Sequence, residues 1–316
     1  MNSKKMKILI IGGTGHVGGY LTSLLVRKGH EVVVMTSGRR PIPVTGAWES
    51  VCPVIASYSR EEGDWQASVA DLGADVIIDI LGTDVPSLYE VSKLHCQHLI
   101  VCGSIWMFGP PRIVPTPEAT QGLCSFEPYA QRYDELVTTK NRALKEGMAF
   151  TAIMPSNICG PGKIPLDTMG GRRLEIHRAL ARGEEVVLPL PCSNLISPCD
   201  AEDIATAFAL AVENRDAATG EIFNVGSAYA LTTLQFVEAY GAIYGVDLPV
   251  RFVDWKTYVK LSPSKGAHYH FEANMCPDIS KIKEKLGYRP AYTPEQSMDR
   301  AVRWMRGEGL FDSCSD

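Results

Sequence analysis

The sequence has no apolar run long enough to cross a membrane, no CxxC pair and no excess of basic residues. Its longest apolar runs, such as ILII at 8–11 and DVIIDIL at 75–81, fall far short of the ~20 residues that a membrane span needs. Nine cysteines, an odd number, indicate neither a disulfide framework nor a zinc ribbon. A net charge of −5 disfavours nucleic-acid partners, which usually need a basic surface. We therefore expect a cytoplasmic protein without a membrane partner that binds a small molecule.

Short β-branched runs alternate with helical stretches through the first half of the 316-residue chain. The runs are KILIIG, HEVVVMT, DVIIDIL and HLIVCG, and two similar ones, FTAIMPSN and GEIFNVGS, come later. This alternation is typical of βαβ units around a buried parallel sheet. We therefore predict an α/β fold with a doubly wound parallel sheet.

A different pattern interrupts and follows the alternating part. Residues 161–193 are rich in Gly, Pro and Arg, whereas residues 228–316 are mostly helical in pattern, and two short β-like pieces occur at EVVLPL and PVRFVDW. We predict a nucleotide-binding domain of residues 1–160 and 196–227. A smaller, discontinuous substrate-binding domain of residues 161–195 and 228–316 would pack over the carboxyl edge of the sheet.

The segment IIGGTGHVGG places three glycines directly after the first strand and at the start of a predicted helix. Glycine lets the backbone turn tightly and approach a pyrophosphate, whose charge the free N–H groups of the helix start stabilise. A glycine-rich turn can also serve only to pack a helix on a strand, but the position between strand and helix favours a dinucleotide. The cofactor-binding residues predicted in this turn are Gly12, Thr14, Gly15, His16, Val17 and Gly18.

The end of the second strand lacks the acidic residue that would accept hydrogen bonds from the 2′-hydroxyl of an NAD ribose. The sequence has Thr36 and Ser37 where that carboxylate would lie, with Arg39 and Arg40 just beyond. Arginines at this place suit a 2′-phosphate, although two arginines on an exposed loop can also be merely solvated. We therefore predict that Ser37, Arg39 and Arg40 bind NADP, with NAD as the alternative cofactor.

Five motifs occur in an order that resembles the extended short-chain dehydrogenase/reductase family, the NAD(P)-dependent epimerases and dehydratases that act mainly on nucleotide sugars. They are GGTGHVGG, CGSIWMFG, PSNICGPG, FNVGS and the late segment DISKIKEKLGYRPAYTPEQSMDRAVRWM. The resemblance covers nearly the whole chain and implies a Rossmann-type fold. It extends the expected cofactor site to Leu81, Gly82, Pro155, Asn157 and Ile158.

The resemblance also implies a catalytic serine and tyrosine, which fall on Ser104 and Tyr129, 25 residues apart. The family's lysine, four residues after the tyrosine, is replaced by Tyr133. A phenol with an ordinary pKa of about 10 is mostly protonated at neutral pH, so a nearby positive charge is needed to make it an effective base. Arg132, at i+3 on the same predicted helix, is a candidate for that charge, and the alternative is a surface arginine without this role.

A second departure concerns the substrate. Many family members clamp a substrate diphosphate with an arginine at a position that is Ile196 here, and an apolar side chain cannot neutralise a diphosphate. Arginines of the second domain could replace it, although arginines on a lid are more often solvated. The expected substrate-binding residues are Trp106, Asn157, Arg172, Arg173 and Arg251, and a nucleotide sugar or a related hydroxylated small molecule is the expected substrate.

Two function classes remain open at this point. The first is an oxidoreductase, epimerase or dehydratase that transfers hydride to and from nicotinamide with Ser104 and Tyr129. The second is a redox-inactive NAD(P)-binding protein with a regulatory or RNA-associated role, as in the chloroplast stem-loop-binding relatives. The missing lysine favours the second class, whereas the retained serine and tyrosine and the acidic net charge favour the first.

Three smaller expectations complete the prediction. The segment HYHFEANMC, with His268, His270, Glu272 and Cys276, is more consistent with a substrate-facing loop than with a metal site. The proline-rich stretch 109–128 is expected to form a loop over the site. By analogy with the family, helices at roughly 84–95 and 129–146 are expected to form a homodimer.

Overall fold

The computed structural model describes residues 5–61, 63–119, 122, 124, 126–262 and 266–311, without the side chains of 267 and 268. Its strands are β1 Lys7–Ile11, β2 Glu31–Thr36, β3 Cys52–Ile55, β4 Val76–Asp79, β5 His98–Cys102, β6 Ala149–Pro155, β7 Asn157–Cys159, β8 Val186–Pro189, β9 Leu195–Ile196, β10 Pro198–Asp200, β11 Ile222–Val225, β12 Leu231–Thr232 and β13 Val250–Val253.

The α-helices are α1 His16–Arg27, α2 Asp64–Leu72, α3 Val85–Ser92, α4 Glu127–Lys145, α5 Leu174–Ala181, α6 Ala201–Glu213, α7 Arg215–Ala218, α8 Thr233–Tyr244, α9 Trp255–Leu261, α10 Ser280–Leu286 and α11 Pro294–Gly307. Short 3-10 helices span Gly46–Ser50, Ile105–Phe108 and Ala267–Phe271.

The central sheet contains seven strands in the order β11-β6-β5-β4-β1-β2-β3, and all neighbouring strands pair in parallel. Its inner strands are buried on both faces, as Ile8, Leu9 and Ile10 of β1 show with no exposed surface. This double burial explains why the strands read as continuous apolar runs. The predicted Rossmann-type α/β fold is confirmed.

The sequence interpretation missed strand β3. Three of its four residues are exposed and the fourth, Val54, is half-buried, so the strand shows no pattern of buried apolar residues, and Pro53 removes one backbone donor. Proline is tolerated there because β3 is the edge strand of the sheet and pairs only with β2 among the described residues. An edge strand of this kind leaves little signal in a search for buried β-branched runs.

Three apolar clusters form the core. One lies on each face of the central sheet, and the third joins α5, α8 and α11 with the short strands β8 and β9. The β-like pieces EVVLPL and PVRFVDW form β8 and β13, which pair in parallel as an additional small sheet. Side chains of α10, including Ile282 and Leu286, pack with the helical layer on one face of the central sheet. Part of the segment 228–316 therefore belongs to the packing of the first domain, and the division of the chain into two domains stays a prediction.

The stretch that follows the 3-10 helix 105–108 is irregular up to residue 119 and is tied to the late part of the chain. Thr116 forms a β-bridge with Pro277, and its carbonyl accepts hydrogen bonds from the Asp278 N–H and the Asn224 amide. Helix α4 already begins at Glu127, slightly before the predicted start. Among the described residues, no helix combines the length and apolar character that a membrane crossing requires.

Candidate functional site

A cleft of about 590 Å³ opens where the carboxyl ends of β1, β2 and β4 meet. Of the predicted cofactor residues, it is lined by Gly12, Thr14, Gly15, His16, Val17, Ser37, Arg39, Arg40, Leu81 and Ile158. Gly18, Gly82, Pro155 and Asn157 do not line it. The remaining lining includes Ser57, Tyr58, Ser59 and Lys163, which the sequence interpretation had not singled out.

The glycine turn joins β1 to α1 in a conformation that needs glycine at two places. Gly12 has φ +84°, a left-handed conformation that favours glycine. A Cβ on Gly18 would lie 2.2 Å from the Gly12 carbonyl oxygen, so Gly18 allows α1 to pack against the turn. Gly15 caps α1 without a side chain and lies in the cleft, which leaves the N–H groups of the helix start accessible to an anion. This backbone fits the pyrophosphate of a dinucleotide.

At the other end of the cleft, β2 ends in hydroxyl groups instead of a carboxylate. The Thr36 hydroxyl lies 3.0 Å from the Thr14 hydroxyl and accepts a hydrogen bond from the Gly38 N–H at 3.3 Å. Ser37, Arg39 and Arg40 follow and are exposed. This end of the cleft therefore combines two guanidinium groups with hydroxyls, and none of the described residues that line it is acidic.

A buried carboxyl group, Asp79, supports the floor of the cleft at the end of β4. Its Oδ1 accepts hydrogen bonds from the N–H groups of Leu81 and Gly82, both at 2.9 Å, and its Oδ2 accepts one from the Tyr58 hydroxyl at 3.0 Å. Burial raises the pKa of Asp79 to about 6, against the effect of these hydrogen bonds and of the Arg132 charge. Gly82 has a structural role here, because a Cβ on it would lie 2.6 Å from the Cys102 carbonyl oxygen.

The predicted catalytic residues lie at the carboxyl edge of β5 and on the first turns of α4. Ser104 caps the 3-10 helix 105–108, and its hydroxyl accepts a hydrogen bond from the Trp106 N–H at 3.3 Å. The half-buried ring of Tyr129 packs against the apolar cluster that contains the 3-10 helix 105–108, and its ring centre lies 5.3 Å from that of Phe126. Helix α4 contacts the 3-10 helix that follows Ser104, so the serine and tyrosine belong to adjacent elements.

Tyr133, at the position of the family's lysine, has a packing role. Its ring meets Phe108 edge to face with 5.5 Å between ring centres, and it is half-buried in the apolar layer under α4. Arg132 is also half-buried. Burial raises the pKa of Asp79 and the hydrogen bond from Arg60 lowers the pKa of Glu135, while the Arg132 charge acts in the lowering direction on both. Arg132 therefore contributes positive charge near α4 and Asp79, together with Arg60, which is ion-paired with Glu135.

Beside Ser104, Trp106 belongs to an aromatic group that includes residues from the late part of the chain. Trp106 packs against the rings of Tyr269 and His270 at 4.8 and 5.1 Å between centres. The Asn157 amide nitrogen lies 3.1 Å from His270 Nδ1, and its Oδ1 accepts a hydrogen bond from the Ser197 N–H. Burial lowers the pKa of His270 to about 4, so the imidazole is neutral at neutral pH. The pairing of Asn157 with His270 leaves no sequence signal, because 113 residues separate them.

The three candidate substrate arginines have different surroundings. Arg173 is ion-paired with the buried Asp167 at 3.2 Å, and Arg251 on β13 is ion-paired with Glu185 at 2.7 Å. Arg172 instead donates to the carbonyl oxygens of Ile158 and Ile164 at 2.7 and 2.8 Å. Burial is the main cause that lowers the pKa values of His16 and His270, and the Arg172 charge adds to it in both, so Arg172 lies near both the cofactor cleft and the aromatic group.

Metal ligation finds no support in the described part of the chain. Within that part, no three His, Cys, Asp or Glu side chains gather as ligands of one ion. Of the segment HYHFEANMC, His270 pairs with Asn157, whereas the side chain of His268 lies outside the described residues.

Sequence comparisons identify the family that this chain matches and proteins that are similar to it. The model of the NAD dependent epimerase/dehydratase family matches residues 8–226. The chloroplast stem-loop binding protein of 41 kDa b from Arabidopsis thaliana is 27% identical over 331 residues, which cover 99% of this chain and 83% of that protein. A UDP-glucose 4-epimerase from Corynebacterium glutamicum is 23% identical, with 91% and 92% of the two chains covered.

Solved structures show the same fold. A UDP-glucose 4-epimerase from Thermotoga maritima, crystallised with UDP-glucose, superimposes with a TM-score of 0.75 at 21% identity, covering 96% of this chain and 99% of that one. A UDP-glucose 4-epimerase from Stenotrophomonas maltophila, with bound NAD and a formylated UDP-arabinopyranose, gives a TM-score of 0.72 at 18% identity, with 96% and 99% covered.

Proposed function

Because the chain belongs to the NAD-dependent epimerase/dehydratase family, we propose that it is an NADP-dependent enzyme that interconverts a hydroxyl and a carbonyl group on a small molecule. The observation that carries this proposal is the cleft at the carboxyl edge of the sheet, which the glycine turn lines. Ser104 and Tyr129 do not line this cleft; they lie after the neighbouring strand β5 and on the first turn of α4. Nicotinamide, when bound, would accept or return a hydride.

The chain's own residues would bind the reacting oxygen and move its proton. The Ser104 hydroxyl would hold the oxygen by a hydrogen bond, and the Tyr129 hydroxyl would take or return the proton. Such positioned proton transfer contributes typically about 10²–10⁴-fold to a rate. Arg132 would supply the positive charge that favours the phenolate form of the tyrosine.

A nucleotide sugar, or a related hydroxylated small molecule, is the proposed substrate class. Trp106 and Asn157 would contact it beside Ser104. Of the three candidate arginines, Arg172 is the one proposed to meet a substrate diphosphate, because Arg173 and Arg251 are ion-paired with carboxylates. The named activity of the similar epimerases supports this class.

The test is a turnover assay of the purified protein with each oxidised and reduced cofactor and a panel of UDP-, GDP- and dTDP-sugars. Nicotinamide absorbance would detect net oxidation or reduction, and product analysis would detect epimerisation or dehydration, which leave the cofactor unchanged overall. Conversion of no sugar nucleotide and no simpler hydroxylated compound would contradict the proposal.

We expect NADP(H) to bind more tightly than NAD(H), because Arg39 and Arg40 lie at the ribose end of the cleft and none of its described lining residues is acidic. A hydrogen bond to a charged group contributes about 1.5–3 kcal/mol, so Arg40→Gln should weaken NADP binding roughly tenfold or more and leave NAD binding unchanged. Calorimetric titration of both cofactors measures this. Equal affinities of the wild-type protein for NAD and NADP would contradict the role of these arginines.

We also propose a homodimer formed through α3 and α4. The outward positions of α4 are exposed and polar, including Gln131, Asp134, Thr138 and Asn141, so the interface would be polar. Thr138→Arg should then shift the protein towards monomer, because a bulky charge would be buried against the symmetry mate. Light scattering over a dilution series measures the mass, and a wild-type monomer at every concentration would refute the dimer.

A redox-inactive, regulatory or RNA-associated protein is the second candidate. The packing of Tyr133 on Phe108 favours it, because the position of the activating lysine has become part of the core. The similarity to the Arabidopsis protein, which is named as a stem-loop binding protein, supports the same candidate. Filter binding of structured RNA, with and without NADP, distinguishes this candidate from the enzyme.

A further inference from the structure

The cofactor cleft has a second wall that comes from the loop after β7. This loop packs on the first turns of α1: His16 Nε2 lies 3.2 Å from the Gly160 carbonyl oxygen, and the Tyr20 hydroxyl donates to the Pro161 carbonyl oxygen at 3.3 Å. Gly162 is close enough that a Cβ on it would lie 3.3 Å from the His16 ring. The next residue, Lys163, is exposed and lines the cleft.

The loop that carries Lys163 has a defined shape. Gly160 and Gly162 have φ +99° and +100°, which other residues rarely adopt. The Arg172 guanidinium donates to the carbonyl oxygens of Ile158 and Ile164 and so holds both ends of the loop. A lysine on a loop fixed in this way loses less conformational entropy when it binds a ligand than one on a free loop.

The charges around the cleft are unbalanced. Within the described residues, no carboxylate forms an ion pair with Arg40, Lys163 or Arg172. Although the Lys163 side chain is exposed as a whole, partial desolvation of its ammonium group in the cleft, followed by the charges of Arg172 and Arg40, lowers its pKa. Like charges held together in this way destabilise one another, and a bound polyanion would relieve the repulsion. His16 responds to the same charges, since burial and the nearby Arg172 and Lys163 lower its pKa to about 4.

We propose that Lys163 binds the pyrophosphate of the dinucleotide beside the start of α1, from the loop that packs against that helix. The loop contacts place Lys163 next to His16, the first residue of that helix, whereas Arg39 and Arg40 follow the end of β2, where the ribose is expected. The pyrophosphate would then be bound by the N–H groups at the start of α1 together with the ammonium group of the adjacent loop. The inference rests on the proposed function only in that a dinucleotide occupies the cleft.

Calorimetric titration of four ligands separates the phosphates. ADP has a pyrophosphate without a 2′-phosphate, 2′-AMP has the reverse, NAD has only the pyrophosphate and NADP has both. Lys163→Gln should weaken NADP, NAD and ADP each about tenfold, a loss of about 1.4 kcal/mol, and leave 2′-AMP unchanged. Arg40→Gln should weaken only NADP and 2′-AMP. Lys256→Gln on α9, which makes the same charge change away from the cleft, should affect none of them.

Three results would overturn the inference. Unchanged affinities in Lys163→Gln would mean a merely solvated lysine. A loss confined to NADP and 2′-AMP would mean that Lys163 binds the 2′-phosphate instead. Failure of all four ligands to bind the wild-type protein would remove the site itself. Because every readout is binding, a protein that binds NADP through Lys163 but turns nothing over would refute only the enzymatic proposal.

Discussion

Gly15→Leu is expected to abolish dinucleotide binding while the protein remains folded. Gly15 lies in the cleft at the start of α1, so a leucine side chain there would occupy the space next to the helix N–H groups. Its φ of −75° suits any residue, and its Cβ would lie 3.0 Å from the Gly12 carbonyl oxygen, a tight contact that needs a small shift. We expect at least about a hundredfold loss of affinity, or about 2.7 kcal/mol, measured by calorimetry.

Two glycines of the same helix provide the comparison. A Cβ on Gly19 would meet no atom within 4 Å, and Gly19 does not line the cleft, so Gly19→Leu should leave cofactor affinity unchanged. Gly18→Ala should instead destabilise the fold, because its Cβ would lie 2.2 Å from a backbone oxygen and forced overpacking typically costs about 1–3 kcal/mol. Thermal unfolding separates the two effects.

Two outcomes would contradict the role given to Gly15. Unchanged affinity in Gly15→Leu would mean that the turn only packs α1 on β1 and that the dinucleotide binds elsewhere. Loss of folded structure in Gly15→Leu, with Gly19→Leu intact, would mean that the tight contact with Gly12 decides the result and that the variant reports on stability alone.

The strands of the central sheet could be predicted because burial on both faces leaves long apolar runs. β1, β2, β4, β5, β6 and β11 all satisfy that condition. β3 does not, since an edge strand with Pro53 and exposed side chains has no such run. The glycine turn could be predicted for a similar reason, because Gly12 and Gly18 meet steric conditions that only glycine satisfies at low cost.

The parts of the site that the sequence did not indicate depend on contacts between distant segments. Lys163 reaches the cleft because its loop packs on α1, and His270 reaches Asn157 across 113 residues. Neither contact can be predicted from the local spacing or periodicity of the sequence. Asp79 is similar, because its burial and its hydrogen bond with Tyr58 also depend on contacts with other segments, whereas its own sequence context is that of an ordinary strand end.

Tyr129→Phe is expected to remove turnover on the true substrate and to leave cofactor affinity nearly unchanged. The substitution keeps the ring that packs near Phe126 and removes only the hydroxyl proposed to transfer the proton. A loss of about 10²–10⁴-fold in kcat is expected from the removal of a positioned general acid or base. Tyr133→Phe, four residues along the same helix, is the matched control and should retain activity, because the ring of Tyr133 packs on Phe108.

Arg132→Ala is expected to change both the pH–rate profile and the stability of the protein, because the Arg132 charge also acts on Asp79. Loss of a cation near the tyrosine should move the basic limb of the pH–rate profile of Arg132→Ala to higher pH, at about 1.4 kcal/mol per pKa unit. The same loss should raise the pKa of Asp79 further above its value of about 6. A carboxyl group whose pKa is raised by folding destabilises the native state when it ionises, so this cost is present above about pH 6 and absent below its ordinary pKa of 3.8.

The unfolding free energy of Arg132→Ala should therefore fall below that of the wild-type protein as the pH rises through about 6. Loss of the Arg132 charge also lowers the unfolding free energy through Glu135, at pH values nearer the ordinary pKa of Glu135. Adding Asp79→Asn should remove the pH-dependent contribution that belongs to Asp79. Urea unfolding across a pH series measures both contributions to the unfolding free energy.

Full activity in Tyr129→Phe would show that the serine and tyrosine no longer carry the chemistry. A pH–rate profile unchanged in Arg132→Ala, together with inactive Tyr129→Phe, would leave the tyrosine in the mechanism and require that its activating charge come from the oxidised nicotinamide.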